Sequence, residues 1–395
     1  MAATTLTRAE LNRATLARQL LLERQPLSAV AAIERLGGMQ AQEPKHPFVG
    51  LWSRVAGFEA DALRRALAGR EVVRATLMRS TLHLFSAADY AALRAALLER
   101  EVVRATLMRS TLHLMSAADY AALRMALQPP RSVAMRVLGA RSQGLDLDAV
   151  LPAARELLRP GPLTFDEIRE RLQEQFPDVN DRALGYAVRT LLALVMVPAP
   201  GERWGFGRSM PFTLAERWLD VPVGAEDKQA LVERYLGAFG PASAKDAQTW
   251  SGVAGLKAVL DGMRDRLSVF ADERGRELFD LPGAPRPGAD APAPARLLPE
   301  FDNLVLAHDD RSRVIADEHR PLVTTKNLRV KATFLLDGTV AGTWSVAVRC
   351  RVATLELAPF GGLTKAARGE LEAEALALLE FVEPDAKGHD VKLAM

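Results

Sequence analysis

Apolar residues recur at helical spacing from Arg8 to about Arg24, and Pro26 breaks the run. Ser28 then stands as N-cap to "AVAAIERL", a helix that Gly37 and Gly38 end. "PFVGLWSRV" reads as extended and leads into a further short helix, "FEADALRRALAG". From about Leu145 the helical period appears three times. The segments are "LDAVLPAARELL", "TFDEIRERLQEQF" with Thr164 as cap, and "NDRALGYAVRTLLALVMV" opened by Asn180 or Asp181. "VMVPAPGERWGFG" follows as strand, turn, strand. Three helices and a hairpin predict a winged helix, the helix-turn-helix variant whose third helix can enter a DNA groove.

The order returns in "DKQALVERYLGAF", "SAKDAQTW", "LKAVLDGMRDRL" and the hairpin "SVFADERGRELFDL". Its third helix is acid-balanced, so this module is expected to pack on its neighbour rather than on DNA. "PGAPRPGADAPAPA" is an extended connector. Beyond it the period falls to two. "NLVLAHDD", "RSRVIADE" and "KATFLLDGTVAGTWSVAVRCRVATLEL" read as strands, with a hairpin turn at Asp337-Gly338. They predict a small β-barrel or curled sheet, closed by an amphipathic helix from about Leu363 to Phe381. The expected fold is α+β. The expected units are an N-terminal winged helix over 1–143, a second over 144–220, a third over 221–281, a linker over 282–295 and a C-terminal β-barrel with its helix over 296–395.

Within the first unit "REVVRATLMRSTLHLFSAADYAALRAAL", residues 70–97, returns 30 residues later as "REVVRATLMRSTLHLMSAADYAALRMAL", residues 100–127. Only Phe85/Met115 and Ala95/Met125 differ. Repeat architectures need about three drifting copies, so two near-identical ones point to a recent tandem duplication or an assembly artefact. Each copy offers a β-rich hairpin, then a helix capped at "SAAD". Nothing local says which copy keeps the original place.

The composition is ordinary for a globular chain of 395 residues, which is long enough for two to four compact units. The net charge of +2 hides an asymmetry, because residues 1–143 hold 20 Lys+Arg against 11 Asp+Glu. A basic N-terminal third on an otherwise acidic protein is the pattern of one face meeting a polyanion. Cys350 is the only cysteine, which excludes an intramolecular disulfide and a cysteine-held zinc. The opening residues lack a signal-peptide core, and "LLALVMV" is too short to span a bilayer. The expectation is a cytoplasmic, nucleoid-associated monomer with no membrane contact.

There is no Walker loop, nucleophile elbow or His-Glu-x-x-His, and the six histidines are scattered. No metal and no cofactor are expected. The unusual stretch is "GGMQAQEPKHPF", with uncharged amides at Gln40 and Gln42 between a helix-stopping glycine pair and two prolines. From the residues alone, "MQAQ" fits a helix C-cap and turn in which both amides satisfy free carbonyls.

"LGGMQAQEP", "LWSRVAGF", "VVRATLMRSTLHLFSAADY", "LPEFDNLVLAHDDRSRVI" and "TFLLDGTVAGTW" together resemble the bacterial winged-helix family that includes the AlkZ-type DNA glycosylases. The resemblance spans nearly the whole chain. It implies several winged helices and a C-terminal β-barrel in a C-shaped body around double-stranded DNA, with a Gln-apolar-Gln motif supplying the catalytic residues. Carried onto this chain, it makes Gln40 and Gln42 the catalytic pair. The implied activity is metal-free, monofunctional hydrolysis of the N-glycosidic bond of N7-alkylated purines, extending to interstrand crosslinks, with a water held by the two glutamines. Arg74, Arg79, Arg104 and Arg109 are candidate phosphate contacts. The competing expectation is a non-catalytic winged-helix DNA-binding protein or transcriptional regulator. A resistance protein for one DNA-damaging product, or a chain inactivated by its duplication, are narrower variants. The second repeat copy departs from the family pattern and adds about 30 residues near the active face.

Overall fold

The computed structural model describes residues 4–41, 43–68, 72–76, 82–86, 102–106, 112–116, 135–192, 194–197, 203–204, 210–214, 217, 228–325 and 329–394. Gln42, Arg79, Arg109 and Asp89 of the first "SAAD" lie outside these residues, and Gln40, Arg74 and Arg104 are described by backbone position alone. The architecture is mixed α+β.

The chain begins β1 (Thr4–Leu6), α1 (Arg8–Arg18), α2 (Ala29–Arg35), β2 (Met39–Gln40), α3 (His46–Trp52) and α4 (Ala60–Ala68). Two antiparallel hairpins follow, β3 (Val72–Thr76) with β4 (Leu82–Ser86), and β5 (Val102–Thr106) with β6 (Leu112–Ser116). The helical α3 corrects the extended reading of "PFVGLWSRV". Every residue from His46 to Leu51 is buried, which erases the two-sided pattern, and Pro47 sits in the first turn where its missing N–H costs nothing.

Next come α5 (Leu147–Leu157), α6 (Phe165–Gln175) and α7 (Asp181–Leu191), then a two-stranded sheet of β7 (Leu194–Met196) and β8 (Phe212–Leu214). The helices start where local chemistry directs. Asp146 and Asn180 accept backbone N–H groups, and Thr164 forms a reciprocal capping box with Glu167. Each such cap stabilises its helix by about 1 kcal/mol. On α7 the stripe Ala183, Leu184, Ala187, Val188, Leu191 is buried. It closes a small core with Val150, Ile168, Leu172 and Phe212. The strand paired with β7 is "FTL" at 212–214, later than the "ERWGFG" expected to return the hairpin.

The third group is α8 (Lys228–Phe239), α9 (Ala244–Ser251), α10 (Leu256–Gly262), β9 (Ser268–Asp272) and β10 (Glu277–Asp280). β1 adds to β9 in parallel, a pairing across more than 260 residues that no local pattern announces. α2, α3, α8, α9 and α10 share one core. A buried bidentate pair, Arg18 with Asp280 at 2.7 and 2.8 Å, locks α1 onto β10.

The C-terminal unit holds β11 (Arg296–Leu298), β12 (Thr333–Leu336), β13 (Thr339–Arg349), β14 (Val352–Pro359), α11 (Lys365–Val382) and β15 (Gly388–Leu393). The strands form one sheet in the order β11-β12-β13-β14-β15. Among the described residues it is open, not the expected barrel: its first and last strands are edges, and α11 covers one face through Leu371, Ala375, Leu378, Leu379 and Val382. Asp337 and Gly338 both have positive φ and make the anticipated tight turn between Leu336 and Thr339. "NLVLAHDD" and "RSRVIADE" are not strands. Residues 303–305 form a 3-10 turn started by the Asp302 carboxylate, which accepts Leu304 N–H at 3.0 Å. His308 within this segment is fully buried, with Nε2 3.0 Å from the Phe239 carbonyl. Burial, aided by the Arg313 charge, pushes its pKa down to about 3, so it stays neutral.

Candidate active site

α2 ends in two left-handed residues, Gly37 (φ 66°) and Gly38 (φ 93°). Their N–H groups return to the carbonyls of Glu34 and Ile33, both at 3.0 Å, so the helix terminus is satisfied while the chain reverses. Gly37 has a second constraint. A Cβ there would meet the Ala238 Cβ at 3.0 Å, so α8 requires the glycine as well.

The reversed chain becomes β2, which pairs antiparallel with β4 in the register Met39↔Leu84 and Gln40↔His83. Met39 is 5 % exposed and Ala41 wholly buried. The Met39 methyl fills the space above Gly50 of α3, where a Cβ would collide with it. The glutamine motif is therefore fixed on both sides of Gln40 by buried apolar residues, and α3 restarts four positions after Gln42.

A buried polar network braces the strand from below. Asn303 donates to the Gly38 carbonyl at 3.2 Å. Arg54, 1 % exposed, donates through Nε to the Gln19 carbonyl (3.0 Å), through Nη1 to the Gly50 carbonyl (3.0 Å) and through Nη2 to Asp302 Oδ1 (2.9 Å). Gln19 in turn donates to the Ala238 carbonyl at 2.9 Å. The space among these groups is only about 10 Å³. So little free volume leaves the base of the motif no room to shift. "LGGMQAQEP" and "LPEFDN", more than 250 residues apart, thus meet at one place.

On the outer side Glu43 is exposed, and Arg329 pairs with Glu300 at 2.6 Å. The Glu300 hydrogen bond and charge, with a contribution from Glu43, raise the Arg329 pKa. Sequence reasoning does not single out Arg54, Asp302 or Asn303. All three fall within segments that carry the family resemblance, Arg54 in "LWSRVAGF" and the other two in "LPEFDNLVLAHDDRSRVI", yet an ion pair between positions 54 and 302 leaves no periodic or local trace.

The two repeat copies are placed differently. The first joins β2 in a three-stranded sheet, order β2-β4-β3, against α2 and α4. Among the described residues the second forms a two-stranded sheet, lying beside the first hairpin and against β7 and α7. Arg74 is in register with Leu84 and through it with Met39, one step out of phase with Gln40. Arg104 occupies the equivalent place opposite Leu114. Among the described residues, no group of three or more His, Cys, Asp or Glu side chains is arranged to hold a metal ion, and no helix is long and apolar enough to cross a membrane.

The family model described as "DNA glycosylase AlkZ-like" matches residues 33–101 and 93–381. The two matched stretches overlap at residues 93–101, inside the duplicated region, and each contains one full copy of the repeat. A curated relative, the interstrand DNA cross-link repair glycosylase of Streptomyces sahachiroi, is 26% identical over 348 residues, covering 83% of this chain and 85% of that protein. The solved structure of Streptomyces sahachiroi DNA glycosylase AlkZ is similar in fold. Its TM-score is 0.74 at 21% identity, over 99% of this chain and 100% of that one.

Proposed function

The chain belongs to the AlkZ-like DNA glycosylase family, and from that premise we propose that it hydrolyses the N-glycosidic bond of N7-alkylated purines in duplex DNA. In this reading Gln40 and Gln42 hold the attacking water. Interstrand crosslinks joined through such purines are a further substrate class, by analogy with the Streptomyces relative named for that repair. The three helix-plus-hairpin groups are read as winged-helix modules, within the boundaries expected from sequence, in a C-shaped monomer acting on cytoplasmic DNA.

Alkylation at N7 gives the purine a positive charge. When the C1′–N9 bond breaks, the base takes the electron pair and leaves neutral, so it needs little acid catalysis. The sugar becomes oxocarbenium-like at C1′, and water adds there. Glutamine suits this task. Its carbonyl oxygen accepts a hydrogen bond from the water and its dipole favours the developing positive charge. An amide does not take the proton, which passes to solvent. No metal and no Schiff-base lysine enter the scheme, so the product is an abasic site with the strand intact.

The observation that carries this reading is the support of Gln40. A glycine-glycine reversal, buried Met39 and Ala41, and the Asn303 bond to Gly38 hold its backbone on both sides. Preorganised donors and acceptors of that kind are where enzymes gain most of their electrostatic stabilisation. The test is release of N7-methylguanine from a duplex carrying one such base, in EDTA, by the parent, Gln40→Ala and Gln42→Ala. The expected outcome is release by the parent, reduced by on the order of 100-fold in each variant. Undiminished release by both variants would remove the glutamines from the mechanism.

A further inference from the structure

We infer that the cleft between the start of α1 and the C-terminal unit is a second binding site, for a nucleotide held by its phosphate and its base, free or at the end of a DNA strand. No residue of the glutamine motif lines it, and the inference stands without the role proposed for Gln40 and Gln42.

The cavity measures about 570 Å³, within the range of roughly 300–1,000 Å³ that small-molecule sites occupy. It lies where α1, residues 312–319, the β12–β13 turn and residues 360–363 meet. Its walls are tied together. Buried Asn12 donates through Nδ2 to the carbonyls of Arg313 (2.7 Å) and Gly338 (2.8 Å). Arg13 donates through Nε to the Ala291 carbonyl (2.7 Å) and through Nη2 to the Asp337 carboxylate. These bonds hold distant stretches of chain around one cleft, so its shape is set before any ligand arrives. Gly361 and Gly362 form part of the rim, and a Cβ at either would meet nothing within 4 Å.

The charge on these walls is one-sided. Arg8, Arg13 and Arg313 line the cleft against a single carboxylate, Asp337, and Arg13 already holds that carboxylate. Arg313 is 5 % exposed, and its Nη1 donates to two neutral oxygens, the Thr15 hydroxyl (3.3 Å) and the Pro241 carbonyl (2.9 Å). The acid whose charge it feels most, Asp246, is spent on other donors: the Ser243 N–H and hydroxyl, and the N–H groups of Asp309 and Asp310. Burial lowers the Arg313 pKa, with the Asp246 charge opposing it. A buried guanidinium with no carboxylate in contact is costly until an anion reaches it. Arg8 is exposed, and Glu273 takes its backbone N–H at 3.0 Å, which leaves the guanidinium to the cleft. One buried and one exposed planar donor fork suit a phosphate.

The rest of the lining fits the other half of a nucleotide. The rings of His319 and Phe360 lie 4.8 Å apart at 44° and make an aromatic wall. Leu336 and Leu363 add apolar surface, and the Ser312 hydroxyl offers a donor and acceptor for the polar edge of a base. Stacking on aromatic side chains is how proteins hold single nucleotides whatever the base. Phosphate alone would leave the aromatic wall unused, and an apolar molecule would leave Arg313 unmatched. A nucleotide engages both.

The experiment titrates the full chain in a calorimeter with deoxyguanosine 5′-monophosphate, deoxyguanosine and inorganic phosphate. The monophosphate is expected to bind once per chain, about tenfold or more tighter than either fragment. Arg8→Glu, at an exposed position, weakens it by about tenfold or more, and His319→Ala by about fivefold or more, while Gln40→Ala binds as the parent does. Arg313→Met loses the site. If thermal unfolding shows that this variant does not fold, Arg8→Glu and His319→Ala decide. Competition separates the two sources: displacement by a 5′-phosphorylated single strand, and not by the same strand without its phosphate, identifies a strand end, and displacement by neither identifies the free nucleotide. Absence of saturable binding, equal affinity for deoxyguanosine and its monophosphate, or weakening by Gln40→Ala with none by Arg8→Glu overturns the inference. Base release by the parent bears on the glycosylase reading alone, so the two fail separately.

Discussion

The two repeat copies are nearly the same 28 residues placed in two different structures. Both form a hairpin in the same internal register, with Val72↔Ser86 in one and Val102↔Ser116 in the other. Up to that level local sequence is sufficient. The third strand is not local. The first copy is delivered beside α2 by α4, which ends four residues before β3, and takes up β2 as its edge. The second finds that position filled and lies against the first hairpin, β7 and α7. Near-identical sequence therefore gives one hairpin that completes the candidate active site and one that enlarges the protein around it.

The comparison breaks most severely at Arg54, because it braces the strand that only the first copy joins. Arg54→Ala leaves Asp302 buried without its cation, and removing one partner of such a pair costs about 3–5 kcal/mol. Chemical denaturation should show that loss, together with loss of base release. A change below about 1 kcal/mol, the range of a surface pair, would mean that the network does not hold the motif. At the other extreme, deleting residues 98–127, one full period, leaves a chain with a single copy directly after α4. Its base release is expected to equal the parent's in a single-turnover assay. Loss of activity in a folded deletion variant would give the second copy a part in the site.

Much of the architecture was legible because its determinants are close in sequence. The caps at Thr164 and Asn180 and the turn at Asp337-Gly338 each act within four residues. The failures share a cause as well. α3 is buried on all sides, so its period vanished. β1 and β15 are parallel edge strands whose partners lie elsewhere in the chain, and "NLVL" was pulled into a turn by Asp302 and Asn303. β15 also extended as an open edge the sheet expected to close on itself. At the site the glycine reversal could be read directly, while the role expected of the amide pair came from the family resemblance. Arg54, Asp302 and the pairing of β2 with the first hairpin rather than the second could not be read, since each depends on which distant strand or side chain arrives.

The most direct measurement traps the pairing itself. In a Cys350→Ser background, which removes the only native cysteine, Met39→Cys is combined with either Leu84→Cys or Leu114→Cys. Opposed antiparallel residues have Cα atoms about 4.5–5.5 Å apart, within the span a disulfide bridges. Oxidation should crosslink positions 39 and 84 rapidly, seen as a mobility shift reversed by reductant, and leave 39 and 114 as free thiols. Efficient crosslinking of 39 to 114, with none between 39 and 84, would place the second copy beside the glutamines and contradict the account.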